Sequence, residues 1–330
     1  MIIPVYACLQ IGLIGAIALD LFLGDPPNRY HLVSWMGSVI AFLIQKSKHN
    51  EHSLAVRRER LAGFILATSL VAVIGIGIQI LVFVSFHIFG IIAATIMSAL
   101  LLKMALAIKG MEKHASKILK ALQGDDLKSA QNSLSLIVRR DTGELPEQYV
   151  ISATIECIGE STVDGIVGPL FFYSMLGPAG ALMYRVVNTL DSMVGYKDNY
   201  YRNIGWASAK LDTFFNYVPA RITSILIIIS AQILGEDWKN SFQILRRDHN
   251  KTSSHNAGYP MATMAGALRV KLEKSGHYAL GESIDPLSIR KCQIAISIMK
   301  ITAVLFSLSV CVPLLLILYL VGWWRLLFGI

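Results

Sequence analysis

Residues 139–221 hold the densest set of groups able to do chemistry, with acids, bases, amides and glycines threaded through apolar sequence. Glu156, Glu160 and Asp164 recur every fourth residue, a spacing that lines side chains along one helix face. Like charges at that spacing repel by roughly 0.2–0.5 kcal/mol per pair. A hard divalent cation or a set of arginines would remove the repulsion. A solvated face, continued by Gln148 and Ser152, would tolerate it. The apolar run that begins at Ile166 puts the last acid at the mouth of a buried segment, where ionisable groups are costly. Beyond it come Arg185, Asn188, Asp191, Lys197, Asp198, Arg202, Lys210 and Asp212, interleaved with Tyr196, Tyr200, Tyr201 and Trp206. This mixture suits a polar site at a membrane surface. It equally suits an amphipathic interfacial loop, because Tyr and Trp gather at membrane interfaces. Further basic and polar groups flank the stretch: Arg139 and Arg140 at its start, then Arg246, Arg247, Asp248, His249 and Asn256 downstream.

The elements that must position these groups are mostly apolar. Of 330 residues, 54% are hydrophobic and 16% charged, with net charge +8, a balance that points to a membrane protein. The basic residues are spread over several loops and form no long block, which argues against nucleic acid. Residues 2–22, 62–86, 88–108 and 293–321 read as membrane spans, each near or above the roughly 20 residues needed. A break near His87 makes the middle two a helical hairpin. Residues 32–44 are apolar but too short to cross. Residues 109–138 read as a soluble helical hairpin turning at Gly124-Asp125-Asp126, and Pro146 suits the first turn of the next helix. Residues 166–187 are broken at Gly168-Pro169 and Gly177-Pro178, so a re-entrant or discontinuous helix is expected. A short apolar run occupies 218–234, and residues 271–285 read as an exposed loop. The expected fold is an all-α polytopic membrane protein forming one domain, 1–330. Basic loops at 24–61 and after 108 place those segments in the cytoplasm.

Phosphate-loop and dinucleotide-binding glycine motifs are absent, as is H-E-x-x-H, so phosphates would have to be held by Arg and Lys, Mg²⁺ and helix amino termini. Cys8, Cys157, Cys292 and Cys311 form no C-x-x-C pair and read as small buried hydrophobes. Residues 1–23 lack a basic leader and a small-residue cleavage site, so no cleavable signal peptide is expected.

Four blocks resemble one family. IECIGESTVDGIVGPLFF (155–172) and ALMYRVVNTLDSMVGYKDNYYRNIGWASAKLDTFFNYVPARIT (181–223) closely resemble the membrane-bound adenosylcobinamide-phosphate synthases of cobalamin biosynthesis. DLFLGDPPNRYHLVSWMG (20–37) and DHNKTSSHNAGYPMATMAGAL (248–268) agree in the same order. The chain departs at Leu32 and His255, where the family usually has proline, and at Met261, where many members carry glutamate. The resemblance implies an ATP-consuming ligase that joins a propionate of adenosylcobyric acid to (R)-1-amino-2-propanol O-phosphate. It implies a multi-pass protein of the cell membrane whose site faces the cytoplasm; a homo-oligomer is left open. Under it, Glu156, Glu160, Asp164 and Asp191 would hold Mg²⁺. Arg139, Arg140, Arg185, Lys197, Arg202, Lys210, Arg246 and Arg247 would hold the phosphates of ATP and aminopropanol phosphate. Asn188 and Asn256 would orient carboxylate or amine, and Asp248 or His249 would take the ammonium proton. Trp35, Tyr196, Tyr200 and Trp206 would contact the corrin. The alternatives are a transporter, opposed by the lack of an internal repeat, and a non-catalytic corrin-binding or signalling protein of the same fold.

Overall fold

A computed structural model of the chain describes residues 2–26, 29, 32–47, 56–196 and 200–328. The protein is an all-α polytopic membrane protein with one small β-hairpin. Among the described residues, four helical runs are long and apolar enough to cross a bilayer: Tyr6–Leu23, Val56–Gln123, Glu147–Val194 and Ile289–Leu320. A fifth arises if Trp206–Phe215 and Tyr217–Ile233 count as one. The chain, expected to form one domain, gathers into two compact units built from discontinuous segments.

The first unit comprises Met1–Leu106, Gly168–Phe215 and Ser309–Ile330. It contains α1 (Ile2–Leu23), α2 (Leu32–Ser47), α3 (Val56–Ala105), α7 (Gly168–Val194), α8 (Trp206–Phe215), α13 (Val312–Leu320) and α14 (Trp323–Phe328). A straight helix as long as α3 would reach about 75 Å, far beyond the roughly 30 Å hydrocarbon core. It is interrupted at Gly90 (φ 78°, ψ −175°), a conformation that glycine reaches without a Cβ clash. The break expected near His87 therefore falls three residues later, and His87 itself stays helical with Nδ1 2.9 Å from the Phe83 carbonyl. α3 packs on α1 and α7, and small residues set how closely. A Cβ on Gly63 would lie 2.0 Å from the Ile204 carbonyl oxygen, and one on Gly75 2.6 Å from Met183 Sδ. Ile76, Phe89 and Ile92 on the outside of α3 are more than 60% exposed, as a lipid-facing surface requires.

α7 is discontinuous, as its sequence suggests. Gly177 has φ 66° and ψ −157°, and Pro178 follows with no N–H to give. The other break takes an unforeseen form: a π-turn, Val163–Val167, precedes Gly168, and the helix then continues to Val194, beyond the expected limit of 187. Gly168, Pro169, Gly177 and Pro178 are all buried, so the breaks are enclosed by protein.

The second unit comprises Ala107–Val167 and Asn216–Leu308. It contains α4 (Ile108–Gln123), α5 (Leu127–Leu134), α6 (Glu147–Thr162), α9 (Tyr217–Ile233), α10 (Trp238–Asp248), α11 (Gly258–Leu268), β1 (Lys271–Lys274), β2 (Tyr278–Gly281) and α12 (Ile289–Phe306). α4 and α5 form the expected hairpin, and Asp126 caps α5 by accepting from Ser129 N–H at 2.9 Å. α6 opens one residue after Pro146. It packs against α4, α5, α11, α12 and β1. Residues 271–285 are not simply an exposed loop: β1 and β2 pair antiparallel with Leu272 opposite Leu280, both fully buried. Gly276 (φ 73°) makes the turn between them.

Candidate active site

Three polar clusters of the second unit hold candidate residues. The first is centred on Glu156 in α6. Its Oε2 accepts from the Arg140 guanidinium and from Tyr278 Oη at 2.7 Å; its Oε1 accepts from Ser152 Oγ at 2.8 Å. Ser152 Oγ in turn accepts from the Glu273 N–H of β1 at 2.9 Å. Glu156 is 3% exposed, so this carboxylate ties the loop before α6 and the hairpin to α6. Burial and the neighbouring Glu156 charge raise the Tyr278 phenol, which stays protonated and donates.

The second cluster begins one turn on. Glu160 is exposed and Asp164, inside the π-turn, is half-buried. The three acids expected to share one face thus have three environments. The Asn216 side chain, at the start of α9, does not cap its helix; its Nδ2 donates to Asp164 Oδ1 at 3.1 Å. π-Turns inside helices often mark functional sites, because the extra residue re-aims side chains. Among the described residues no three His, Cys, Asp or Glu side chains gather as a metal cage. Glu156 is occupied by Arg140, and Asp191 belongs to the first unit. Glu160 and Asp164 still fit Mg²⁺, which commonly takes one or two carboxylates and completes its shell with substrate phosphate and water.

The third cluster sits where α10 ends. Asp248 is fully buried and accepts from Arg247 Nε at 2.7 Å, Arg247 Nη2 at 2.9 Å, Lys251 Nζ at 2.6 Å and Gly281 N–H at 2.8 Å. Burial alone would raise its pKa, but these donors outweigh it and bring the carboxyl from 3.8 down to about 2. A carboxylate held so far down is a weak base, and the bond it accepts from Gly281 N–H fastens the hairpin to α10. Arg247 also pairs with Glu282. Because the folded value lies below the unfolded one, this stabilisation is full above about pH 4 and disappears as pH falls towards 2. With its partners partly exposed it amounts to about 1–2 kcal/mol. Asp248→Asn should therefore lower the melting temperature at pH 7 and lose that difference near pH 2, as thermal scans across this range would register.

His249 Nδ1 lies 2.9 Å from the Leu245 carbonyl oxygen, which can only accept, so Nδ1 carries a hydrogen and Nε2 of the neutral ring is the basic nitrogen. The ring packs on Tyr259 with centroids 4.7 Å apart. A Cβ on Gly258 would lie 2.1 Å from the His249 carbonyl oxygen, so only glycine lets α11 begin this close to the end of α10. Arg221, in the second turn of α9, lies over two tyrosine rings, 3.5 Å from the Tyr217 centroid and 4.3 Å from that of Tyr259. Its Nη1 donates to the Tyr217 carbonyl at 2.5 Å and to Asn256 Oδ1 at 3.2 Å. Asn256 is itself buried in the loop before α11, where Ser254 Oγ accepts from the Asn256 and Ala257 N–H groups. Sequence reasoning included Arg221 in the central stretch without assigning it a role. The available signal was Tyr217 and Arg221 four residues apart on one helix face.

The remaining candidates divide between the units. Arg139 and Arg246 are exposed in the second, Arg246 beside the Phe242 ring. Met261, at the departure from the family pattern, is buried with its Cα 3.4 Å from a Cβ built on Gly159. In the first unit, Arg185 Nη1 donates to Asn188 Oδ1 at 3.3 Å. Asp191 folds back so that a Cβ on Gly195 would lie 2.0 Å from its Oδ1. Arg202 and Lys210 are exposed, and Lys197 lies outside the described residues. Trp35, Tyr196, Tyr200 and Trp206 are all more than a third exposed. The four cysteines are free; Cys8, Cys292 and Cys311 are buried and Cys157 is partly so.

A family model described as CobD/Cbib protein matches residues 13–319. A relative from Methanothermobacter thermautotrophicus, "Probable cobalamin biosynthesis protein CobD", is 38% identical over 294 residues, covering 89% of this chain and 94% of its own length. "Cobalamin biosynthesis protein CobD" of Dehalococcoides mccartyi is 38% identical, covering 82% of this chain and 86% of the relative. The Clostridium perfringens protein of that name is 36% identical, covering 82% and 84%. No solved structure matches.

Proposed function

We propose, from the premise that this chain belongs to the CobD/Cbib family of cobalamin biosynthesis proteins, that it is an ATP-dependent amide ligase joining adenosylcobyric acid to (R)-1-amino-2-propanol O-phosphate. The observation that carries this reading is the family match across residues 13–319, which takes in every residue assigned above. The clusters of the second unit supply what such chemistry needs: acids for metal-bound phosphate, a fixed guanidinium and an imidazole with a basic nitrogen.

The corrin carboxylate is a poor electrophile. Its oxygen attacks the γ-phosphorus of ATP, ADP leaves, and an acyl phosphate forms. The amine lone pair then attacks the acyl carbon, the C–N bond forms, the C–O bond to phosphate breaks, and phosphate departs. The first step depends on positioning and charge neutralisation. Mg²⁺ held by Glu160 and Asp164 together with substrate phosphate would supply that neutralisation. Asn216 fixes the Asp164 carboxylate, and His249 Nε2 takes the ammonium proton so that the amine can react.

Glu160→Gln and Asp164→Asn should each raise the Mg²⁺ concentration needed for half-maximal rate by at least tenfold while leaving the corrin KM unchanged. Unaltered Mg²⁺ dependence in both would remove them as ligands. Hydroxylamine offered in place of the amine should be captured as a corrin hydroxamate, with ADP released in equal amount. ADP release without hydroxamate would overturn the acyl phosphate.

A further inference from the structure

Three arginines of the second unit, Arg140, Arg247 and Arg269, are each paired with a carboxylate. Arg221 is held differently. Among the described residues its partners are two tyrosine rings, a backbone carbonyl and the Asn256 amide oxygen, all uncharged. Both rings lie within 4.3 Å of the guanidinium carbon, and Nη1 donates to the protein. The edge formed by Nε and Nη2 is the side left to meet a ligand, and that edge matches the paired oxygens of a phosphate or carboxylate. The ring contacts and the two Nη1 hydrogen bonds remove rotamer freedom in advance, so little is lost when the oxyanion binds.

The same Tyr259 ring carries Arg221 on one contact and the His249 imidazole on another. A cation suited to an oxyanion and a group suited to accept a proton are therefore set a short distance apart on one rigid ring. A small molecule with a phosphate at one end and an ammonium at the other would satisfy both together. We infer that Arg221 is the phosphate anchor for the amine substrate, an amino alcohol phosphate, and that it positions the amine at His249. The inference rests on the ligase reading for its substrate and on the Arg221 geometry for its residue. The same chemistry could come from a nucleotide phosphate or the corrin carboxylate, and the test separates these sources.

In the full-length protein in detergent, Arg221→Gln should raise the KM for aminopropanol phosphate by at least tenfold. The KM values for ATP and adenosylcobyric acid should stay within twofold. An Arg221→Lys variant should recover only part of the loss, because a point charge lacks the planar fork. A rise confined to ATP or to the corrin acid, an equal rise in all three, or no change would overturn the assignment. Should Arg221→Gln fail to fold, wild-type protein treated with phenylglyoxal and mapped by mass spectrometry replaces it. Aminopropanol phosphate should protect Arg221 from modification, and free aminopropanol should not. Protection by ATP alone, or by neither amine, would contradict the inference. Phenylglyoxal protection needs no turnover. If aminopropanol phosphate protects but no amide ever forms, the ligase reading fails and the phosphate anchor stands.

Discussion

Replacing Glu156 with alanine should destabilise the protein by about 3–5 kcal/mol, the usual cost of stranding one partner of a buried ion pair. Glu156 and Arg140 have side chains only 4% and 15% exposed. Removing the carboxylate leaves the guanidinium uncompensated and strips Tyr278 and Ser152 of their acceptor. The hairpin should loosen as well, because Ser152 also receives the Glu273 N–H. A denaturant titration in detergent would measure the loss. Glu156→Leu combined with Arg140→Met should recover much of it, since an apolar pair of similar volume avoids desolvating two charges. If Glu156→Ala instead leaves stability intact and shifts the Mg²⁺ requirement, Glu156 is a metal ligand and the account of this cluster is wrong.

The second large effect is on rate. His249→Asn keeps a donor near the position of Nδ1, so the hydrogen bond to the Leu245 carbonyl can persist while the basic Nε2 is lost. Amide formation should slow by about 10²–10⁴, the usual contribution of a positioned general base. ADP formation in the presence of hydroxylamine should change far less, because hydroxylamine is largely unprotonated at neutral pH and the first step needs no base. Measured in single turnover, an equal fall in both steps would mean that the histidine organises the loop and takes no proton.

Much of the membrane architecture could be read from the chain because it depends on local properties. The largely apolar run of α1, the Gly177-Pro178 break and the turn at Gly124-Asp125-Asp126 all appear where short-range sequence puts them. The hairpin at 271–281 was legible in principle, as Leu272 and Leu280 flank a Ser275-Gly276 turn signal, but each strand has only four residues. The acids show where sequence reasoning stops. Periodicity makes Glu156, Glu160 and Asp164 equivalent. Arg140 and Tyr278, the latter 122 positions from Glu156, bury the first, and a π-turn displaces the last. The Arg221 cluster draws on α9, the loop before α11 and α11 itself, a convergence that no spacing announces. Asp248 and His249 are adjacent and look interchangeable as bases. Only the donors converging on Asp248 separate an anchor from a proton acceptor.

The activity proposed for this chain is amide formation at the expense of ATP. Purified protein in detergent would be mixed with adenosylcobyric acid, aminopropanol phosphate, Mg²⁺ and ATP, and corrin mass and ADP followed together. The expected result is a corrin product heavier by one amide-linked aminopropanol phosphate, with one ADP released for each product formed. Corrin bound tightly but unchanged in mass with every substrate present would contradict it, and would favour transport or binding as the role of the protein.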